Sequence, residues 1–82
     1  MVGVLIYKSA SQQYYSFVSF DDDSYSVERR EIPKRGDQIL WERGNVSLAQ
    51  IENARKTKDD LVKKLNEGQE VNLEKELEEF FE

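Results

Sequence analysis

The side chains that could do chemistry in this chain are carboxylates, amines, guanidinium groups and hydroxyls, because its 82 residues include no His and no Cys. This composition excludes disulfides, zinc sites built from thiolates or imidazoles, Cys nucleophiles and His-based catalytic triads. Paired carboxylates could still act as general acid and base, but they need a cleft in which one pKa is raised. The four Gly are isolated from one another, so a glycine-rich phosphate loop is missing. We therefore predict that the protein is not an enzyme and uses no cofactor.

A series of Glu residues dominates the C-terminal part of the chain, where residues 67–82 hold seven Glu and a single Lys. Four of them recur at every fourth position, which on an α-helix would give a row of negative charges about 6 Å apart: Glu70, Glu74, Glu78 and Glu82. Such a row can imitate a nucleic-acid backbone and occupy the basic groove of an enzyme that binds DNA or RNA. The alternative is a helix whose charges only keep the protein in solution.

Apolar residues lie in the same segment at helical spacing: Leu73, Leu77, Phe80 and Phe81. A helix of about eleven residues is marginal on its own, and its Glu side chains repel one another at i,i+4. The helix that begins at Asn72 must therefore dock through its apolar residues, either on its own domain or on another molecule. We take the four Glu of the row, together with Phe80 and Phe81, as candidate partner-binding residues.

A basic cluster forms the second candidate site: Arg29, Arg30, Lys34 and Arg35, with Tyr25 nearby. Basic residues beside an aromatic residue are one ingredient of nucleic-acid binding. Acidic residues are interleaved with this cluster, and the net charge of -5 repels phosphate at long range. We therefore rank direct nucleic-acid binding low and expect a solvated sheet edge or a docking surface for the acidic C-terminal segment.

The acidic triplet Asp21, Asp22 and Asp23 could bind a hard cation such as Ca²⁺ through carboxylate oxygens. A calcium loop also needs acids at alternating positions, an internal Gly and a distal Glu, and these are missing. We predict a polar hairpin turn and no metal site, because short polar side chains hydrogen-bond to nearby backbone groups in turns.

Aromatic and Ser residues concentrate before residue 46, whereas Lys, Glu, Leu, Asn and Gln dominate after it. Aromatic residues favour strands and the later set favours helices. We predict four mainly antiparallel strands at 2–8, 14–21, 25–32 and 38–43. The first is apolar on both alternating faces, which is typical of a central strand. In the last, Ile39 and Trp41 are expected on one face, after a turn over residues 33–37.

A helix over residues 47–67 is specified at both ends. Ser47 and Gln50 have the spacing of a capping box, and Val46 and Ile51 that of a hydrophobic staple. Gly68 is the expected stop signal. Apolar residues recur at helical spacing along it, so we expect the helix to cover one face of the sheet and to form the core with the sheet aromatics.

These patterns together predict one α+β domain over residues 1–82, with a β-rich part at 1–46 and a helical part at 47–82. The longest apolar run is far below the roughly twenty residues that cross a bilayer, and the N-terminus lacks a signal-peptide pattern, so a cytoplasmic protein is expected. The function that fits best is a small acidic protein-interaction module, an intracellular regulator or inhibitor. The alternative is an acidic nucleic-acid mimic encoded by a phage or mobile element. Whether the protein forms a homodimer stays open.

Overall fold

The computed structural model describes residues 2–32 and 34–82, with the backbone alone for Tyr25, Ser26 and Arg29. The described elements make an α+β fold in which the main helices follow the sheet. In chain order they are strand β1 (Gly3–Ser9), strand β2 (Tyr14–Phe20), helix α1 (Tyr25–Glu31), strand β3 (Gln38–Gly44), helix α2 (Leu48–Asn66), helix α3 (Leu73–Leu77) and a 3₁₀ turn (Glu78–Phe80).

The sheet of the described residues has three antiparallel strands in the order β2-β1-β3. The prediction that the first strand is central is confirmed, since β1 pairs along one edge with β2 and along the other with β3. Its residues Val4, Leu5 and Ile6 are 2, 1 and 0% exposed. Because consecutive side chains of a strand point to opposite faces, both faces of the sheet are covered at β1.

A β-bulge in β3 changes which of its residues face the core. Trp41 pairs with Ile6, but Ile39 pairs with Tyr7, so Leu40 is an extra residue without a partner in β1. Since Ile6 and Tyr7 are consecutive, Trp41 and Ile39 point to opposite faces, and the prediction that they share one face is wrong. The bulge instead directs Leu40 towards the core that contains Trp41.

Residues 25–31 form helix α1, and the prediction of a fourth strand over residues 25–32 is wrong. The polar turn before it begins a helix instead of closing a hairpin. The Asp21 carboxylate accepts hydrogen bonds from the backbone N–H and the hydroxyl of Ser24, and the Ser24 carbonyl accepts from the N–H groups of Val27 and Glu28. The Glu and Arg residues that follow are good helix formers. Val27 is 49% exposed on this helix.

Helix α2 begins and ends as the sequence predicts. The Ser47 hydroxyl accepts from the Gln50 N–H at 3.1 Å, and the Gln50 side chain accepts from the Ser47 N–H at 2.8 Å, which completes the capping box. At the other end the Gly68 N–H bonds to the Leu65 carbonyl and the Gln69 N–H to the Lys64 carbonyl, a Schellman motif. Although α2 is 19 residues long, neither it nor another helix of the described residues has the length and apolarity to cross a bilayer.

The main core lies between the sheet and the later helices. Helix α2 contacts β2, while α3 contacts β3, so the two halves of one sheet face are covered by different elements. The buried residues of this core are Val4, Ile6, Trp41, Val46, Ile51, Leu61, Leu65, Leu73 and Leu77. The opposite face buries Leu5 and Phe20, on the side where α1 contacts β2. The sequence predicts the contribution of α2 to this core, but α3 also contributes Leu73 and Leu77, and Phe20 lies on the other face of the sheet.

We predict that Ser47→Ala lowers the free energy of unfolding by about 1 kcal/mol, because the hydroxyl that accepts from the Gln50 N–H is lost. The measurement is a urea or guanidinium midpoint. Ser47→Thr keeps a hydroxyl at the cap and should recover most of the loss. Equal midpoints for wild type and Ser47→Ala would show that the cap does not stabilise α2.

Candidate functional site

The C-terminal segment docks on its own domain through its apolar side. Leu73 and Leu77 are 7 and 0% exposed, and Phe80 and Phe81 are half-buried against the same core. The rings of Phe81 and Trp41 lie 5.3 Å apart, tilted by 52°. The helix begins at the predicted residue, since the Asn72 side chain accepts from the Lys75 N–H. Of the two docking alternatives that the sequence left open, the structure therefore has the intramolecular one, and the two candidate Phe residues belong to the core.

The acidic side of the same segment faces solvent. All seven Glu of residues 67–82 are exposed, and among the described residues none of them forms an ion pair. The expected row is not continuous, however. Glu70 precedes the cap Asn72, and the α-helix gives way to a 3₁₀ turn after Leu77, so Glu74 and Glu78 alone keep the helical four-residue spacing. The segment therefore presents an unpaired cluster of carboxylates instead of a regular ladder.

The basic cluster is divided by the structure. Arg30 lies exposed on α1, and the side chain of Arg29 lies outside the described residues, as does Pro33. Lys34 and Arg35 lie in the turn that leads into β3, and this turn sits beside the loop between β1 and β2. The structure therefore brings two of the four predicted basic residues to the rim of one surface cavity, together with the hydroxyl groups of Ser9 and Ser11, which are distant from them in the sequence.

Asp37 joins these two loops. One carboxylate oxygen accepts from the Ala10 N–H at 2.8 Å, and the other accepts from the Lys34 N–H at 2.9 Å. The hydrogen bonds from Ala10 and Lys34 hold the pKa of Asp37 below its ordinary value. Gly36 adds a steric requirement, because its φ is +88° and a Cβ there would lie 3.2 Å from the Cβ of Ala10. We name these two hydrogen bonds the Asp37 clip. It could not be found from the sequence because Ala10 and Asp37 are 27 positions apart.

Asn66 is a second long-range polar contact that the sequence did not reveal. Its side-chain oxygen accepts from the Tyr15 N–H at 2.8 Å and its amide nitrogen donates to the Tyr15 carbonyl at 3.2 Å. Tyr15 belongs to β2, whose outer edge has no neighbouring strand among the described residues. The Asn66 amide therefore pairs with this edge as another strand would, and it ties the last residue of α2 to the sheet.

The acidic triplet has a structural role in the turn before α1. Asp21 accepts two hydrogen bonds from Ser24, chiefly from its hydroxyl, and these lower the pKa of Asp21. Asp22 and Asp23 are exposed. Within residues 2–32 and 34–82 no cluster of three metal-ligating side chains is found.

No protein-family model, no curated protein and no solved structure matches this chain.

We predict that Leu77→Ala lowers the free energy of unfolding by about 2–5 kcal/mol, because a fully buried side chain is removed from the core and a cavity remains. Leu48→Ala is the matched control, since Leu48 is 69% exposed and its loss should change stability by no more than about 0.5 kcal/mol. Denaturant midpoints compare the two. A Leu77→Ala protein as stable as the control would mean that the C-terminal segment does not dock on the core.

The Asp37 clip predicts an acid-dependent loss of stability. A carboxylate whose folded-state pKa is lowered stabilises the fold fully above the unfolded-state value of about 3.9, and this stabilisation is lost as the pH falls through the folded-state pKa. Asp37→Asn cannot accept both hydrogen bonds, so its melting temperature should be lower than that of wild type at pH 7. The difference should shrink as the pH is lowered from 5 towards 3.

The control for this pH series is Asp23→Asn, which removes the same charge from an exposed position outside the clip. Its melting temperature should follow that of wild type at neutral pH. Asp21 is unchanged in all three proteins, so its own acid dependence cancels in the comparison. A gap between wild type and Asp37→Asn that stays constant down to pH 3 would contradict the prediction.

Proposed function

We propose that this protein is a small acidic, non-enzymatic protein-interaction module that regulates or inhibits an intracellular partner by occupying a basic surface of that partner. The binding surface is the acidic face, which we define as the exposed Glu side chains of residues 67–82. It binds through charge, whereas the apolar residues of the same segment hold it on the domain. Because Leu73 and Leu77 are buried in the core, the Glu side chains between and beside them are held on the folded domain.

The main support for the proposal is that the C-terminal segment buries its apolar side and exposes its acidic side. Leu73 and Leu77 are buried, yet every Glu between Glu67 and Glu82 is exposed and without an ion-pair partner among the described residues. Like charges held close together repel each other, and Glu78 and Glu79 also lie where the helix dipole disfavours negative charge. A cationic partner would relieve this repulsion, so the acidic face gains more from such a partner than an ordinary mixed surface.

The non-enzymatic part of the proposal has its own support. Asp21 and Asp37 have lowered pKa values, and each carboxylate accepts hydrogen bonds that hold a turn together. A carboxyl group that acts as a general acid near neutral pH needs a raised pKa instead. These two groups are therefore structural acceptors.

A nucleic-acid mimic is the narrower form of the same proposal, in which the basic surface of the partner is its DNA- or RNA-binding groove. The cluster of seven exposed Glu with a single Lys, Lys75, favours it. The break in helical spacing after Leu77 argues against a regular imitation of the phosphate ladder. Competition separates the two forms, because duplex DNA at constant ionic strength should displace a mimic from its partner but leave another kind of complex intact.

The test compares two variants that each remove two negative charges. Glu74→Gln with Glu78→Gln changes the acidic face, and Asp23→Asn with Glu31→Gln changes exposed residues before and in α1. Immobilised wild-type protein should retain a partner from lysate that is eluted by moderate salt, because the contact is screened. The α1-side variant should retain the same partner, while the acidic-face variant should lose at least about nine-tenths of it.

The melting temperatures of both variants must be measured together with partner binding. The acidic-face variant should melt at or slightly above the wild-type temperature, since the replacement of Glu74 and Glu78 relieves a like-charge pair at i,i+4. A folded acidic-face variant that retains the partner as well as wild type does would refute the proposal. The same holds if the captured partner resists elution by salt, since an apolar interface would then carry the binding.

A further inference from the structure

The cavity between the β1–β2 loop and the turn before β3 has the construction of a small-molecule site. Its volume is about 380 Å³, within the range of about 300–1,000 Å³ typical of ligand pockets. Two loops from distant parts of the chain form its walls, and the Asp37 clip joins them at 2.8 and 2.9 Å. The absence of a side chain at Gly36 allows the two loops to approach closely, since a Cβ there would lie 3.2 Å from the Cβ of Ala10. The walls are therefore held in place before a ligand arrives.

The charged groups of this cavity favour an anion. Lys34 and Arg35 are exposed at its rim, so their cationic ends are available to a ligand. Asp37 is the acidic residue of the lining, but each of its carboxylate oxygens already accepts a backbone N–H. An Arg and a Lys side chain together offer charge-assisted hydrogen bonds to phosphate oxygens, which are among the strongest contacts available to a protein.

The other residues that line the cavity offer polar and apolar contacts to the part of a phosphorylated molecule that is not the phosphate. Ser9, Ser11 and Gln12 contribute hydroxyl and amide groups on one wall, and the hydroxyls of Ser9 and Ser11 lie 3.1 Å apart. Tyr7 and Ile32 are half-buried and contribute an aromatic ring and an aliphatic side chain. A flat ring could pack on these two side chains while its phosphate reaches Lys34 and Arg35.

From this arrangement we infer that the cavity binds a small phosphate monoester that carries a planar ring, of the size of a nucleoside monophosphate. The phosphate binds to Lys34 and Arg35, and the ring lies on Tyr7 and Ile32. A long nucleic acid is disfavoured, because the net charge of -5 repels a polyanion along its whole length. This site is separate from the acidic face, so it can be right or wrong independently of the proposed function.

The experiment is an NMR titration of the amides of the full chain with inorganic phosphate, adenosine and adenosine monophosphate, each at constant ionic strength adjusted with sodium chloride. We expect saturable shifts at residues 9–12 and 34–37, with adenosine monophosphate binding at least about tenfold more tightly than inorganic phosphate or adenosine. Lys34→Gln with Arg35→Gln should weaken binding at least about tenfold, because two charge-assisted hydrogen bonds are lost. The backbone clip to Asp37 does not use either side chain and should survive.

The matched control is Lys56→Gln with Lys63→Gln, which removes two exposed cations from α2 and should bind like wild type. The melting temperature of both variants checks that they fold. Three outcomes would overturn the inference: equal binding by the Lys34/Arg35 variant and wild type, shifts spread over the basic residues of α2, or adenosine binding as tightly as its monophosphate. Tight binding of an oligonucleotide with no binding of the monophosphate would also overturn it, in favour of a nucleic-acid surface.

Discussion

The whole architecture depends on the burial of strand β1. Val4, Leu5 and Ile6 are almost fully buried, and full burial of each such side chain is worth about 1.5–3 kcal/mol. Because they point alternately to both faces, the sheet needs cover on both sides. Both edges of β1 are also occupied, by β2 and by β3. This seven-residue strand thus pairs with two neighbouring strands, and its side chains are buried with residues of α2 and the C-terminal segment on one face and on the same side as Phe20 on the other.

Both candidate sites of this small domain carry charged side chains, whereas most of its large apolar side chains lie in or against the core. Cations lie over one buried and two half-buried aromatic rings of the core: Arg43 lies 5.3 Å from Trp41, Lys8 5.3 Å from the Tyr15 ring and Lys58 5.6 Å from Phe17. In these cation–π contacts the basic side chains cover aromatic surface of the core. The Glu-rich C-terminal segment has no comparable partners among the described residues, while Lys34 and Arg35 extend over a cavity.

The edges of the sheet are protected by side chains and by irregular pairing. Asn66 pairs with the Tyr15 backbone on the outer edge of β2, and the bulge at Leu40 interrupts β3. Exposed, regular strand edges invite pairing with another chain, so both features favour a domain that binds its partners through side chains. This agrees with the two proposals, since both place binding on charged side chains and neither uses a strand edge.

The sequence by itself determined the parts of the fold that depend on near neighbours. The capping box of Ser47 and Gln50, the stop at Gly68 and the central position of β1 follow from patterns within a few residues, and all three are confirmed. The prediction for residues 25–32 is wrong because the preceding acidic triplet also fits a hairpin turn, whereas hydrogen bonds from Ser24 to the Asp21 side chain precede a helix. Tertiary structure alone decided that Ile39 and Trp41 point to opposite faces of the sheet on either side of the bulge. It also decided that the Asn66 side chain bonds to the Tyr15 backbone and that Asp37 joins two distant loops. It also decided which side of the C-terminal segment meets the core and which basic residues meet in one cavity. These outcomes depend on contacts between residues far apart in the chain, for which short-range periodicity carries no information.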